Sequence, residues 1–135
     1  MNNEVDEWII SSIKSVFADS DEIETLIFDE IDAGISGRTA QMVAEKLAAI
    51  AKKHQVICIS HLPQIVGMAD RHFLIEKTSD DLSTGTHISE LTRAGSIGEL
   101  SRLIGGAKIT EATRAQAAEM KEQADIRKAE VRSRT

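Results

Sequence analysis

The chain has one cysteine, one proline, no long apolar run and no strongly basic stretch, and each gap removes a class of reading. No segment approaches the roughly 18 consecutive apolar residues of a membrane span, so no membrane role is expected. Cys58 lies in the run Val56-Ile57-Cys58-Ile59. It can form no internal disulfide and is expected to pack as a small core residue. Residues 1–7 read Met-Asn-Asn-Glu-Val-Asp-Glu, an acidic start unlike a secretory signal, so a cytoplasmic location is the simplest expectation. None of the eight glycines is followed by lysine, so the Gly-x-x-x-x-Gly-Lys-Ser/Thr loop that cradles phosphates is missing.

What remains is a chain of 135 residues, 41% hydrophobic and 28% charged, which suits one globular domain with a real core. Its net charge of −6 is unevenly spread. Residues 1–32 carry ten acids against one lysine, whereas residues 33–110 stand at +2 and residues 111–135 at +1. No stretch is basic enough to be a nucleic-acid footprint by itself. Any contact with DNA is therefore expected from a larger assembly.

Apolar residues Val5, Trp8, Ile9, Ile13, Val16 and Phe17 recur at helical spacing and predict an amphipathic helix over 4–18. A strand over 23–28 follows. Ser36 is placed to cap a helix running to about residue 53, with Ala40, Val43, Ala44, Leu47 and Ile50 on its buried face and Lys52 and Lys53 in its last turn. A second strand, Val56–Ser60, comes next. Strand, helix, strand in this order predicts a βαβ unit with parallel pairing. Farther on, the pattern predicts a short helix over 62–69 with Pro63 near its start. It then predicts strands at 72–77 and 86–91, joined as a hairpin at the sheet edge. A helix over 95–104 should end at Gly105-Gly106, and a long Ala-rich helix over 110–131 should fray at its end.

The most informative stretch is Leu26-Ile27-Phe28-Asp29-Glu30, an apolar run that reads as a strand buried on both faces and ends in two adjacent carboxylates. Desolvating charge is costly, so paired acids at such a tip serve no packing purpose. The carboxyl ends of strands in an open α/β sheet are where ligands bind. One acid holding Mg²⁺ and the next activating water is the arrangement of a nucleotide hydrolase. The βαβ unit would bring His61, 31 residues beyond Glu30, to the same sheet edge.

Leu26-Ile-Phe-Asp-Glu-Ile-Asp-Ala-Gly-Ile-Ser-Gly-Arg38 and Ile59-Ser-His-Leu-Pro-Gln-Ile65 together resemble the second half of the ATPase head of the ABC/SMC superfamily, most of all in its bacterial DNA-repair branch. Met68–Lys77 and the closing Arg102-Leu-Ile-Gly-Gly106 continue the likeness, which covers roughly residues 11–125. The resemblance implies an α/β, P-loop NTPase-like fold, with 1–135 forming the C-terminal lobe of a head: a parallel βαβ core, flanking helices and an edge hairpin. It implies Asp29 as the Walker B acid for Mg²⁺ and Glu30 as the residue that orients and deprotonates water. Asp32, Gly34, Ser36 and Gly37 would belong to the D-loop facing a partner head, and His61 would be the switch histidine on the γ-phosphate of ATP. The implied partners are the N-terminal, Walker A half of the same head, a second head in a homodimer, and DNA through the full assembly. The implied role is recombinational repair of DNA double-strand breaks.

The departures from the family pattern set the alternatives. The phosphate loop is absent, and the signature Ser-Gly-Gly-Glu is replaced by Asn-Asn-Glu-Val at 2–5. The segment Gly98-Glu-Leu-Ser-Arg102 imitates that signature on the wrong side of His61 and reads as an ordinary helix. The chain alone is therefore expected to be inactive as an ATPase. A truncated head acting as a non-catalytic interaction module, or a different ABC-type subunit, stays open at this point. His54 is expected to cap a helix end, and His72 and His87 to face solvent on edge strands. Arg38, at a helix start where a cation is disfavoured, hints at a partner contact.

Overall fold

The computed structural model describes residues 22–31 and 33–134. The predicted helix over 4–18, the 2–5 segment and Asp32 lie outside them. Along the described chain come β1 (Thr25–Asp29), α1 (Gly37–Ile50), β2 (Gln55–Ile59) and the single turn α2 (Pro63–Val66). They are followed by β3 (Phe73–Ser79), β4 (Thr84–Glu90), α3 (Arg93–Gly105) and α4 (Glu111–Ser133).

The βαβ unit forms, with β1 parallel to β2 and Leu26, Phe28 and Asp29 opposite Val56, Cys58 and Ile59. The Ser36 hydroxyl oxygen accepts the Thr39 N–H at 3.3 Å and so starts α1. This helix buries Ala40, Val43, Ala44, Leu47, Ala48 and Ile50 against Leu26, Ile65, Met68 and Ala124. Phe28, Val56 and Cys58 pack on the same cluster half-buried. The helix stops at Ile50 rather than near 53. Lys52 and Lys53 sit in the following turn, where their amides reach back three residues to Ala49 and Ile50.

The sheet is not buried on both faces as the apolar run suggests. Thr25, Ile27 and Asp29 are exposed and Leu26 is buried, and β2 alternates in the same way. Ile27 is 68% exposed, with Ile57 and Ile59 beside it at 44% and 43%. The described helices cover one face of β1–β2, and no described element covers the other.

The hairpin also departs from expectation. β3 and β4 pair with each other in a separate antiparallel sheet and add no strand to β1–β2. Its turn is fixed by the Asp80 carboxylate, which accepts the Ser83 N–H at 2.8 Å and the Leu82 N–H at 3.3 Å. His72 does not face solvent either. It is half-buried and shares a 2.8 Å hydrogen bond with the Ser96 hydroxyl of α3, and burial lowers its pKa. His87 is exposed, as expected.

Helix α4 starts from a reciprocal cap, Thr110 Oγ1 accepting the Thr113 N–H while Thr113 Oγ1 accepts the Thr110 N–H. It has few apolar anchors and is held largely by charge. Ala117, Lys121 and Ala124 form its buried stripe. Lys121 is 6% exposed as a residue, and its ammonium donates to the Gly67 and Ala69 carbonyls at 3.1 Å each. Arg127 pairs with Glu45 of α1, and Arg93 of α3 pairs with Asp125, both at 2.7 Å. Instead of fraying, the end of the helix is tied down by Arg132, which reaches Asp70 and the Ala48 carbonyl.

Candidate functional site

The carboxyl edge of β1–β2 is built by the pairing itself. Asp29 lies opposite Ile59, and the Glu30 N–H donates to the Ile59 carbonyl at 3.1 Å, one bond past the end of the strand. At Glu30 the backbone turns left-handed, with φ of 51°. Among the described non-glycine residues, Glu30 is the one with positive φ. A side chain with a Cβ there costs about 1–3 kcal/mol, and such strain gathers at functional sites. The Glu30 carbonyl then accepts the Ala33 N–H at 3.4 Å, and Gly34, at φ 78°, continues the turn into Ser36. Gly34 suits a backbone region that disfavours other residues.

His61 lies two residues past Ile59, the partner of Asp29 in the parallel register, and so follows the same sheet edge. Adjacent strands run about 4.8 Å apart, so β1 and β2 end side by side. The Leu62 N–H donates to the Ser60 hydroxyl at 3.1 Å, which shapes the corner that carries His61. Asp29, Glu30 and His61 are all solvent-exposed. The edge therefore collects two carboxylates, an imidazole and the start of α1, with Gly34, Ser36 and Gly37 in the loop between. Asp32 belongs to the same loop in sequence but lies outside the described residues.

Among the described residues no three His, Cys, Asp or Glu gather into a metal cage. A lone exposed carboxylate such as Asp29 nevertheless suits Mg²⁺, which commonly takes one or two protein carboxylates and completes its shell with water and phosphate. The donor chemistry at this edge thus fits that ion.

One residue of the edge, Gln64, lies within the motif 59–65 but received no role of its own from the sequence. The Gln64 side-chain amide lies against Gly37: a Cβ built on Gly37 would stand 3.1 Å from Gln64 Nε2. Gln64 Oε1 is buried and has no hydrogen-bond partner among the described residues. Also among these residues, no helix is long and apolar enough to cross a membrane.

No family model matches the chain. Individual proteins do. The DNA repair protein RecN of Bacillus subtilis is 40% identical over 117 residues, covering 87% of this chain and 20% of its own length. RecN of Streptomyces coelicolor is 38% identical over 116 residues, again 20% of its length. RecN of Haemophilus influenzae is 41% identical over 109 residues, 81% of this chain and 20% of its own. Over 81–87% of its own length the chain is similar to these DNA repair proteins, and it spans about one fifth of the length of the relatives it matches.

Proposed function

We propose that this chain is the C-terminal lobe of a RecN-type ATPase head, with the P-loop NTPase fold of the ABC/SMC superfamily, and that it hydrolyses ATP once a Walker A lobe completes the site. The observation that carries the reading is the carboxyl edge of β1–β2. There Asp29 and a left-handed Glu30 close one strand while His61 stands just past its parallel neighbour. Parallel neighbours ending together concentrate such groups where ligands of open α/β sheets bind.

In this reading Asp29 holds Mg²⁺, which neutralises phosphate charge when bound. The Glu30 carboxylate orients the attacking water and accepts its proton. The His61 imidazole donates a hydrogen bond to the γ-phosphate as charge develops on it. The loop of Asp32, Gly34, Ser36 and Gly37 meets a second head, so that the two sites are coupled in a homodimer. The face bearing Ile27, Ile57 and Ile59, which no described element covers, is consistent with a head in which further layers pack on this sheet. Contact with DNA then belongs to the full assembly, acting in repair of double-strand breaks in the cytoplasm.

The test joins this chain to a lobe carrying a Gly-x-x-x-x-Gly-Lys-Ser/Thr loop and measures ATP turnover. The hydrolase reading expects turnover by the joined head and none by either part. A joined head that assembles and binds ATP without hydrolysing it would instead make this lobe an interaction module.

A further inference from the structure

Gly37 opens α1, a position where nothing in the backbone asks for glycine: among the described residues, the glycines with positive φ are Gly34 and Gly106. Glycine is the poorest helix former after proline, so its place here needs another cause. The space above it supplies one. A Cβ built there would stand 3.1 Å from the Gln64 amide nitrogen, tighter than ordinary van der Waals contact, so the amide would have to give by a few tenths of an ångström. Glycine at a close approach is its other common use.

Gln64 is well placed to join two parts of the site. It lies three residues past His61, in the first turn of α2 behind Pro63, whose ring fixes the local backbone. Leu62 and Ile65 on either side pack into the core that also receives Ile35 from the loop before α1. The amide therefore spans from the His61 segment to the end of the loop 33–37. Its Oε1 has no partner among the described residues, and a buried amide oxygen left without a donor favours whatever rearrangement supplies one. The amide also has somewhere to go. Gln64 lines a groove of about 480 Å³ between α1 and α4, beside Gln41, Glu45 and Arg127.

We propose that Gln64 is a positioning residue that couples the loop 33–37 to the His61 segment by resting its amide on Gly37. The proposal rests on the hydrolytic reading of this edge. When the loop shifts against a partner head, the amide follows, and with it the corner that sets His61. Gly37 is what lets the two surfaces touch without an intervening side chain.

The experiment has two arms. In this chain, thermal unfolding is compared for Gly37→Ala, Gln64→Ala and the double variant. If the amide rests on Gly37, Gly37→Ala is more favourable in the Gln64→Ala background than in the unaltered chain, by about 3 °C in Tm. Equal effects in both backgrounds would overturn the contact. In the joined head, Gln64→Ala should lower kcat about 10-fold to 100-fold with the KM for ATP nearly unchanged, the pattern of a misplaced catalytic group. Gly37→Ala should slow turnover alone and add nothing to Gln64→Ala. Full kcat in Gln64→Ala, within an otherwise active head, overturns the positioning role and leaves the hydrolytic reading standing. A joined head that never turns over refutes that reading and the positioning role with it, whatever the stability arm gives.

Discussion

Arg132 closes on Asp70 with two hydrogen bonds, 2.9 and 2.6 Å, while its Nε donates to the Ala48 carbonyl at 3.1 Å. One side chain at the end of α4 thus ties down both the segment after α2 and the end of α1. The Arg132 hydrogen bonds pull the Asp70 pKa from 3.8 to about 2; burial opposes the shift and Lys128 adds to it.

This pair predicts an acid-sensitive contribution to stability. A carboxylate whose folded pKa is depressed contributes fully above its unfolded value and loses that contribution as pH falls through the folded one. The loss should therefore run from about pH 4 down to about pH 2. Asp70 is half-exposed, so solvent screening holds the effect to about 1 kcal/mol or less. Asp70→Asn should lower stability at pH 7 and flatten its dependence on pH across that window, as read by urea unfolding at several pH values. An unchanged profile would show that the pair contributes nothing.

Lys121 should matter more, because its ammonium lies in the buried stripe of α4. Lys121→Ala removes the ammonium that donates to the Gly67 and Ala69 carbonyls, leaving the latter only Lys128 at 3.5 Å, and should cost about 1–3 kcal/mol in chemical denaturation. Lys121→Met keeps the length of the stem and should recover part of the packing but not the hydrogen bonds. If both variants unfold with the unaltered chain, the two carbonyls are satisfied in some other way.

These two side chains mark a limit of what the sequence told. The βαβ unit was legible because its signals are local: the apolar runs 26–28 and 56–59, a capping Ser36, and alanines at helical spacing between them. The edge carrying Asp29, Glu30 and His61 followed from that unit and chain direction. The hairpin was legible as a hairpin, but no local signal says which sheet a strand joins, so its separation from β1–β2 was not. Ile27 misled because a run apolar on both faces reads the same whether its second cover is near or far. Helix α4 was foreseen, but its Ala-rich pattern hid what fastens it, since a buried lysine among alanines looks like a solvated face. Gln64 stood in the motif 59–65, but its contact with Gly37 was not legible, because it crosses 27 residues and depends on the tertiary packing of α2 against α1.

By itself, this chain should neither bind ATP tightly nor hydrolyse it, because in the proposed hydrolytic reading Asp29 and Glu30 act on a nucleotide that a phosphate loop must hold. A millimolar excess of ATP and Mg²⁺ should leave the melting temperature nearly unchanged, since stabilisation grows as RT ln(1 + [L]/Kd). A shift of several degrees would mean that the lobe carries a nucleotide site of its own.

His61→Ala, placed in the joined head, should slow hydrolysis while leaving ATP binding largely intact. A hydrogen bond to the γ-phosphate that strengthens as charge develops acts on kcat more than on affinity. Loss of ATP binding with an unchanged turnover number would assign His61 to holding substrate instead.

Whether Glu30 activates water for hydrolysis at the end of β1 is read by single-turnover ATP hydrolysis in the joined head with Glu30→Gln. The amide keeps the shape of the carboxylate but is a poor base, and a general base contributes typically about 10²–10⁴-fold. Glu30→Gln should bind ATP normally and hydrolyse it more slowly by that factor. Hydrolysis by Glu30→Gln at the unaltered rate, in a head whose binding is intact, would contradict that role.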